Sequence, residues 1–404
     1  MNAPQVPRIT SQAPNPWRTL IWPLAVAETL VWAGFYYVFP ALLPYWETEF
    51  GWSKAALAGA FTIGLVATAV SAPLAGRVVD AGHGRVMMTG ATILGAALVS
   101  SITLVTQVWH FYAIWLALGV CMAGCLYEPC FAVVTRFMGT EAKRGITIVT
   151  LLGGLAGTVS FPLAYAMAEA FGWRSAVFTF AGLAVFVSAP LMMMAGRGLA
   201  PVALQPESEG VLTASRPVRL LRRPAFWFLA ITFASISLNH GMLITHMLPI
   251  MTDRGMGAEA AAVAAAMIGP MQVAGRLAMM TVEKHLSTIK VCGLTFVFMT
   301  IAALALMASS NATVLIVVFV ILQGAGYGVT SIVRPVVTAE ILGRANFGAV
   351  SGTLSVAPMG AFAIAPILAA IFWAWGGYDL VIGIAFIVCL IGASALVLAV
   401  RDHQ

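Results

Sequence analysis

Long runs of apolar residues without a charged side chain are the feature that most limits how this chain can fold. Residues 86–109 and 380–400 contain no Asp, Glu, Lys or Arg, and neither do residues 291–333. A helix that crosses a bilayer needs about 20 mostly apolar residues. The run at 291–333 is therefore long enough for two crossings, with a break at the polar residues 309–311. This pattern predicts an all-α polytopic membrane protein.

Composition excludes the other broad classes of protein. Of the 404 residues, 61% are hydrophobic and 9% are charged, whereas soluble domains carry roughly 25% charged residues. The five cysteines lie within apolar stretches and are odd in number, which argues against a disulfide framework. The net charge of +6 comes from basic residues between apolar runs. Such a distribution indicates membrane orientation rather than nucleic-acid binding.

The whole chain divides into twelve predicted membrane-spanning helices, called spans below. They start near residues 20, 55, 86, 110, 146, 174, 225, 260, 288, 312, 347 and 378. An even number of spans puts both termini on one side of the membrane. The first apolar run is too long for a signal-peptide core, so the first span is expected to stay uncleaved.

Basic residues predict which side that is. With twelve spans, eleven of them fall on the side of the termini: Arg77, Arg85, Lys143, Arg144, Arg216, Arg219, Arg222, Arg223, Lys284, Lys290 and Arg344. Three fall on the other side: Lys54, Arg174 and Arg254. Because cytoplasmic loops are rich in Lys and Arg, both termini are expected in the cytoplasm. The membrane is expected to be the plasma membrane, which is the inner membrane in bacteria.

A polar connector divides the chain into two halves. We expect a cytoplasmic tail at 1–19, a six-helix bundle at 20–197, a linker at 198–222, a second bundle at 223–400 and a short tail at 401–404.

Glycines at equivalent loop positions indicate that the two halves repeat. Three pairs are separated by 204 residues: Gly51 and Gly255, Gly172 and Gly376, Gly139 and Gly343. Parallel repeats of six helices are an arrangement found in transporters.

Four segments resemble a known family. Residues 76–85 read Gly-Arg-Val-Val-Asp-Ala-Gly-His-Gly-Arg, which is similar to the signature loop of the major facilitator superfamily, although Ala81 replaces its usual basic residue. Residues 49–57, 127–129 and 171–174 narrow the resemblance to the bacterial monocarboxylate-transporter and oxalate–formate-antiporter-like branch. Over about residues 20–400, the resemblance implies two six-helix bundles around a central cavity. It also implies alternating-access transport of a small organic anion.

Arg276 is the first candidate for a substrate contact. The resemblance implies that an arginine in the eighth span holds the substrate carboxylate, and Gln272 replaces the family aspartate four residues earlier. Guanidinium binds carboxylate through two parallel hydrogen bonds. The alternative is an arginine whose head reaches the cytoplasmic surface. The lost aspartate removes the family's proton carrier at this place.

Two glutamates in predicted spans are candidates for proton coupling, since ionisable groups there are costly. Glu28 in the first span could carry the proton, or it could be a structural carboxyl that is bonded to a neighbouring helix or paired permanently with Arg276. Glu128 in the fourth span is the second candidate. Arg334 lies in the tenth span at a position equivalent to 130, because 334 − 204 = 130. We therefore expect Glu128 and Arg334 to form a cytoplasmic gate pair, the alternative for Arg334 being a membrane anchor.

Other polar and aromatic residues are weaker candidates for lining the cavity. His240 and Asn239 in the seventh span could contact the substrate, although a structural histidine is the more common case. Tyr36 and Tyr127, with Trp32 and Tyr37, could also line it, or could serve packing. A separate set is expected to form a conformational latch that affects gating rates: Asp80, Arg77, Arg85 and Arg136.

Alternative functions remain open at this stage. Efflux of cationic or amphipathic compounds would use Glu28 and Glu128 as cation ligands. Copper transport would use Cys121, Cys125 and Met122, but the chain has no CxxC motif or His-rich tract.

No enzyme motif is present, so neither catalysis nor a cofactor is expected. A sensor would need a sizeable soluble domain. The expected partners are the organic anion, protons and the lipid bilayer, with no nucleic acid, and the protein is expected to be a monomer.

Overall fold

The structure is a computed structural model that describes residues 15–200, 220–282, 285–310 and 312–403. Its secondary structure within these ranges is helical, without a β-strand. Most of the predicted N-terminal tail and of the predicted linker lie outside the described residues. The same is true of Arg216, Arg219 and Lys284 in the orientation argument.

The N-terminal half, residues 15–200, contains eight helical segments longer than five residues. They are α1 (Trp17–Phe50), α2 (Lys54–Val78), α3 (Gly84–Ser101), α4 (Val108–Cys125), α5 (Tyr127–Met138), α6 (Ala142–Gly153), α7 (Ala156–Phe171) and α8 (Trp173–Met194).

The C-terminal half, residues 220–403, contains seven. They are α9 (Pro224–Thr245), α10 (Met247–Asp253), α11 (Ala258–Ala266), α12 (Ile268–Val282), α13 (Thr288–Ala308), α14 (Leu315–Leu342) and α15 (Phe347–His403). Two non-helical glycines, Gly376 and Gly377, divide α15 into two helices.

Nine helical segments of the described chain are long and apolar enough to cross a membrane. Three of them have 49, 64 and 56 residues, each more than twice the length that one crossing needs. The predicted starts agree with the observed helices to within about 4 residues. The structure confirms an all-α polytopic fold, and the number of twelve spans stays a prediction.

Apolar packing separates the two halves. The buried members of the largest cluster come from residues 20–195, apart from Phe347. Three further clusters draw their buried residues from 220–399 alone. Large apolar side chains also cover the outside, with Phe186 80% and Trp375 75% exposed. Such a surface is expected to face lipid rather than water.

Two of the three predicted glycine pairs share a positive φ. Gly51 and Gly255 have φ of +67° and +82°, and Gly139 and Gly343 have φ of +54° and +91°. Each of the four follows the last turn of a helix, where a left-handed residue favours glycine. In the third pair the match is shifted, because the positive φ lies at Gly377 rather than at Gly376.

Irregular helix segments lie near the middle of the molecule. The chain between α4 and α5 is extended at Leu126, with φ −88° and ψ −161°. The helix breaks again between α6 and α7, at Gly154 and Leu155. A π-helical turn, Trp32–Tyr37, interrupts α1. Such interruptions in membrane helices are tolerated where they line a cavity.

Candidate functional site

A cavity of about 430 Å³ lies between the two halves. Helices α1, α2, α4, α5 and α6 form its wall in the N-terminal half, and α9, α12, α14 and α15 form the opposite wall. Its charged lining residues are Glu128, Arg276 and Arg334. The break at Leu126 and the break at Gly154 both reach this cavity, so irregular backbone forms part of its wall.

Arg276 connects the two walls. Its side chain is buried, and Nε donates a hydrogen bond to the Gly328 carbonyl at 2.8 Å within the C-terminal half. Nη1 donates to the Thr150 carbonyl at 3.1 Å, at the C-terminal end of α6. The carbonyl groups at that end carry a partial negative charge, which stabilises a cation.

The remaining donors of Arg276 have no acceptor among the residues that the structure describes. The structure gives its Nη2 no hydrogen-bond partner among the described residues, and the ion pairs found there do not include Arg276. Gln272, one turn earlier on α12, also lines the cavity. The alternative interpretation, an arginine that reaches the cytoplasmic surface, does not describe this side chain, because it is 9% exposed and bonded inside the protein.

Glycines let α12 approach α14 closely. A Cβ atom at Gly275 would collide with the backbone of Ala325, and one at Gly328 would collide with the backbone of Gln272. This close crossing puts the Gly328 carbonyl within reach of the arginine head group.

Aromatic rings form much of the cavity wall in the N-terminal half. Trp32, Tyr36 and Tyr37 all line the cavity, since a π-helical turn brings residues four and five apart toward one face. The Trp32 ring lies 4.8 Å from the ring of Tyr127 and 5.1 Å from that of Tyr36, measured between centroids. The structure thus brings both predicted tyrosines to the cavity.

A polar cluster underlies the wall in the C-terminal half. His240 lines the cavity, and its ring stacks on that of Tyr327 at 3.5 Å with an interplanar angle of 6°. Gln323 Nε2 lies 3.4 Å from His240 Nδ1 and donates to Asn239 Oδ1 at 3.0 Å. Asn239 is fully buried behind the wall, so it has no direct access to a substrate. Sequence reasoning missed Tyr327 and Gln323.

Glu28 lies behind the cavity rather than in its lining. It is fully buried against Cys130 and Trp32. Neither carboxyl oxygen has a hydrogen bond of normal geometry to a described residue. The expected alternative of a permanent pair with Arg276 is therefore not what the structure has, and a route for protons from the cavity to Glu28 would pass the Trp32 ring.

Glu128 and Arg334 form an ion pair between the two halves. The hydroxyl of Ser351 donates a second hydrogen bond to the Glu128 carboxylate at 3.1 Å. The pair links α5 to α14 and α15. The structure brings together the two residues of the predicted gate, and their role in gating stays a proposal.

Asp80 joins the halves at a second point. Its carboxylate accepts hydrogen bonds from the backbone N–H groups of Gly348, at 2.9 Å, and Ala349, at 2.7 Å. These groups belong to the first turn of α15, where N–H groups lack partners within the helix. The Arg136 Nη1 group donates to the carbonyls of Val79 and of Asp80 itself.

The other two residues of the predicted latch are placed differently. In the described part of the chain, the structure gives the side chains of Arg77 and Arg85 no hydrogen bond or ion pair. The partner of Asp80 is instead the N-terminus of α15. No charged side chain in the sequence indicates this partner. The halves also cross closely beside Asp80, at Gly76 and Gly348, where a Cβ on either would collide with the other's backbone.

The sulfur residues considered for copper do not line the cavity together. Cys121 and Cys125 are buried on α4, and of the three candidates only Met122 lines the cavity. Among the residues that the structure describes, no group of three or more His, Cys, Asp or Glu side chains is placed to hold a metal ion.

Known structures share this fold. The human organic anion transporter MFSD10 (TETRAN) is 15% identical, with a TM-score of 0.72 over 95% of this chain and 100% of that chain. The E. coli fucose:proton symporter FucP is also 15% identical, with a TM-score of 0.72 over 96% of this chain and 100% of the symporter's. A FucP structure in the outward conformation has a TM-score of 0.71 and 15% sequence identity, over 94% of this chain and 98% of that chain. At this identity the likeness concerns the fold alone.

Sequence comparison identifies the family. A search of curated proteins finds no match. The sequence profile of the Major Facilitator Superfamily matches residues 24–282, which include the N-terminal bundle from residue 24 onward and the first helices of the second bundle. The match covers more than half of the chain, and the fold, the central cavity and the signature loop agree with it. The chain therefore belongs to the Major Facilitator Superfamily of membrane transporters.

Proposed function

We propose that this protein is a secondary transporter of a small organic anion, with Arg276 as the residue that holds the carboxylate. One observation carries the proposal: a guanidinium in the wall of the central cavity has donors to spare and no carboxylate partner among the described residues. A cation left without an anion in a low-dielectric site is costly. A substrate carboxylate would remove this cost.

The charge of the cavity favours an anion over a cation. Glu128 is neutralised by Arg334, which leaves Arg276 as the excess charge of the lining. The alternative of cation efflux needs a carboxylate that is free to bind a cation. Glu28 does not reach the lining, so this alternative has less support. The assignment to the monocarboxylate-transporter branch is part of the proposal.

Coupling to protons is proposed through Glu28. Its carboxyl is isolated from water and from hydrogen-bond partners in the described chain, and the neutral form suits such surroundings. The ionised form would need a route to water. The change of the cavity from opening on one side of the membrane to opening on the other can supply this route. Among proteins of this fold, MFSD10 is named an organic anion transporter and FucP a fucose:proton symporter, so the fold serves both functions.

Alternating access would depend on the contacts between the halves. The Glu128–Arg334 pair and the hydrogen bonds of Asp80 join the halves, and they are proposed to close one end of the molecule in this state. Opening that end breaks both, while contacts at the other end would form. With the predicted topology, the closed end faces the cytoplasm, and the bundles rock about the substrate site.

Thermal stabilisation of the purified protein by small carboxylates, organic cations and Cu(I) tests the proposal. A ligand at about 100 times its dissociation constant adds about 2.7 kcal/mol to the stability of the folded state. We expect stabilisation by one class of carboxylates, lost in Arg276→Gln. A ligand-free melting curve of this variant serves as its folding control. Stabilisation by cations or copper alone would overturn the proposal.

A further inference from the structure

We infer that Gln323 and Asn239 are positioning residues that hold His240 with its ring proton on Nε2, so that the cavity wall presents a neutral N–H donor. The inference concerns a chain of hydrogen bonds behind the cavity and does not need Arg276. Only its use for binding an acceptor atom of an anion rests on the proposed function.

The chain of hydrogen bonds starts at a group with a fixed role. The backbone carbonyl of Ala385 can only accept, and it lies 2.9 Å from the Asn239 amide. The side-chain atom facing it must therefore be the NH₂ group of Asn239, which leaves Oδ1 on the other side as an acceptor. The orientation of this amide is thus determined by the backbone.

The next link follows from the first. Asn239 Oδ1 lies 3.0 Å from Gln323, so the atom of Gln323 that faces it must be the NH₂ group. The second hydrogen of the same nitrogen faces His240 Nδ1 at 3.4 Å. A donor facing a ring nitrogen requires that nitrogen to be an acceptor. In neutral His240 the proton then resides on Nε2.

The surroundings of the His240 ring favour a proton on Nε2 over a proton on Nδ1. One face of the His240 ring stacks on Tyr327, and the charged groups that line the same cavity are Glu128, Arg276 and Arg334. The structure gives Nε2 no partner among the described residues, and His240 lines the cavity. A second proton, on Nδ1, would face the NH₂ group of Gln323. His240 therefore serves as a hydrogen-bond donor rather than as a proton carrier.

Nitrogen NMR of the ligand-free full chain tests this inference directly. The protein is labelled with ¹⁵N at its six histidines, and the His240 signals are assigned by their loss in His240→Phe. Protonated and bare ring nitrogens have well-separated shifts. We expect a protonated Nε2 and a bare Nδ1 between pH 6 and 8. A protonated Nδ1 in the unmodified protein, or a titration within this range, would overturn the inference.

Two substitutions at Gln323 separate positioning from packing. Gln323→Met keeps the size but removes the donor, so His240 should show a mixture of tautomers that titrates with pH. Gln323→Glu provides an acceptor, so the proton should move to Nδ1 or both nitrogens should be protonated. Gln272→Glu adds the same charge to the cavity without a contact to His240 and should leave the signals unchanged. Identical spectra of Gln323→Met and the unmodified protein would refute the positioning role.

The experiment also separates this inference from the proposed function. The spectra are recorded without ligand, so they report the tautomer whether or not an anion is transported. If NMR shows an unprotonated Nδ1 and no carboxylate stabilises the protein, the inference is confirmed and the proposed function is refuted.

Discussion

A single methyl group at Gly154 should displace the guanidinium of Arg276. A Cβ atom built at this position collides with Nη1 of Arg276, in the gap between α6 and α7. The backbone of Gly154, with φ −64° and ψ −18°, lies in the right-handed region that alanine adopts without strain. Gly154→Ala is therefore a steric change at the head group and leaves the charge of the cavity intact.

The expected loss of affinity follows from the hydrogen bonds of the guanidinium. Displacing Nη1 breaks its bond to the Thr150 carbonyl and moves the free donors out of register with a carboxylate. A hydrogen bond to a charged group contributes about 1.5–3 kcal/mol. Losing one of the two expected with the anion weakens binding by about 10- to 100-fold, at 1.4 kcal/mol for each factor of ten.

The stability of the folded protein should change less. Replacing glycine by alanine at a compatible position stabilises by about 0.4–1 kcal/mol. The lost bond to Thr150 costs about 1.5–3 kcal/mol, so the net cost is roughly 0.5–2.5 kcal/mol. The protein should therefore fold, and a ligand-free melting curve would show it.

Gly269→Ala is the matched control for this experiment. It makes the same chemical change on α12, the helix of Arg276, where a Cβ has nothing within 4 Å. The assay is the shift in melting temperature over a concentration series of the carboxylate found active in the stabilisation screen. Equal dissociation constants for Gly154→Ala, Gly269→Ala and the unmodified protein would refute the assignment of Arg276 as the anion ligand.

Three further predictions concern coupling and gating. Glu128→Arg and Arg334→Glu should each abolish uptake into proteoliposomes, and their combination should restore part of it because the ion pair can re-form. Failure of the double variant to exceed either single one would argue against the gate. Asp80→Asn removes the negative charge at the N-terminus of α15 and should weaken this contact by about 0.3–1 kcal/mol, which should change the rate of uptake severalfold while the dissociation constant stays the same. Glu28→Gln should abolish accumulation driven by a pH gradient but preserve exchange of substrate across the membrane. Unchanged accumulation would exclude Glu28 as the proton carrier.

The sequence predicted the fold well because membrane helices are specified by local composition. Uncharged runs determine where helices form, and neither the run at 291–333 nor its break at 309–311 needs tertiary information. The position of Arg276 was accessible for the same reason, since a charge in an apolar span is unusual. Its partners, the carbonyls of Gly328 and Thr150, were not accessible, because every residue has a carbonyl group.

Other parts of the site were missed for comparable reasons. The partner of Asp80 is the N-terminus of α15, which is a property of the fold rather than of a side chain. The charge pattern therefore favoured Arg77 and Arg85 instead. Gln323 did carry a signal, because it is an amide inside an uncharged run. The role of Gln323 could be inferred only from its distance to His240 in the structure.

The contacts of Arg276 suggest why substrate binding and rearrangement of the halves should be linked. Its Nε is held by the C-terminal half, whereas its Nη1 is held by α6 of the N-terminal half. A carboxylate that binds the remaining donors also competes for Nη1, so it changes the strength of a contact between the halves. A ligand shifts a conformational equilibrium only by its difference in affinity for the two states. Because the same guanidinium takes part in the site and in the interface, the anion has a direct means to favour one state over the other.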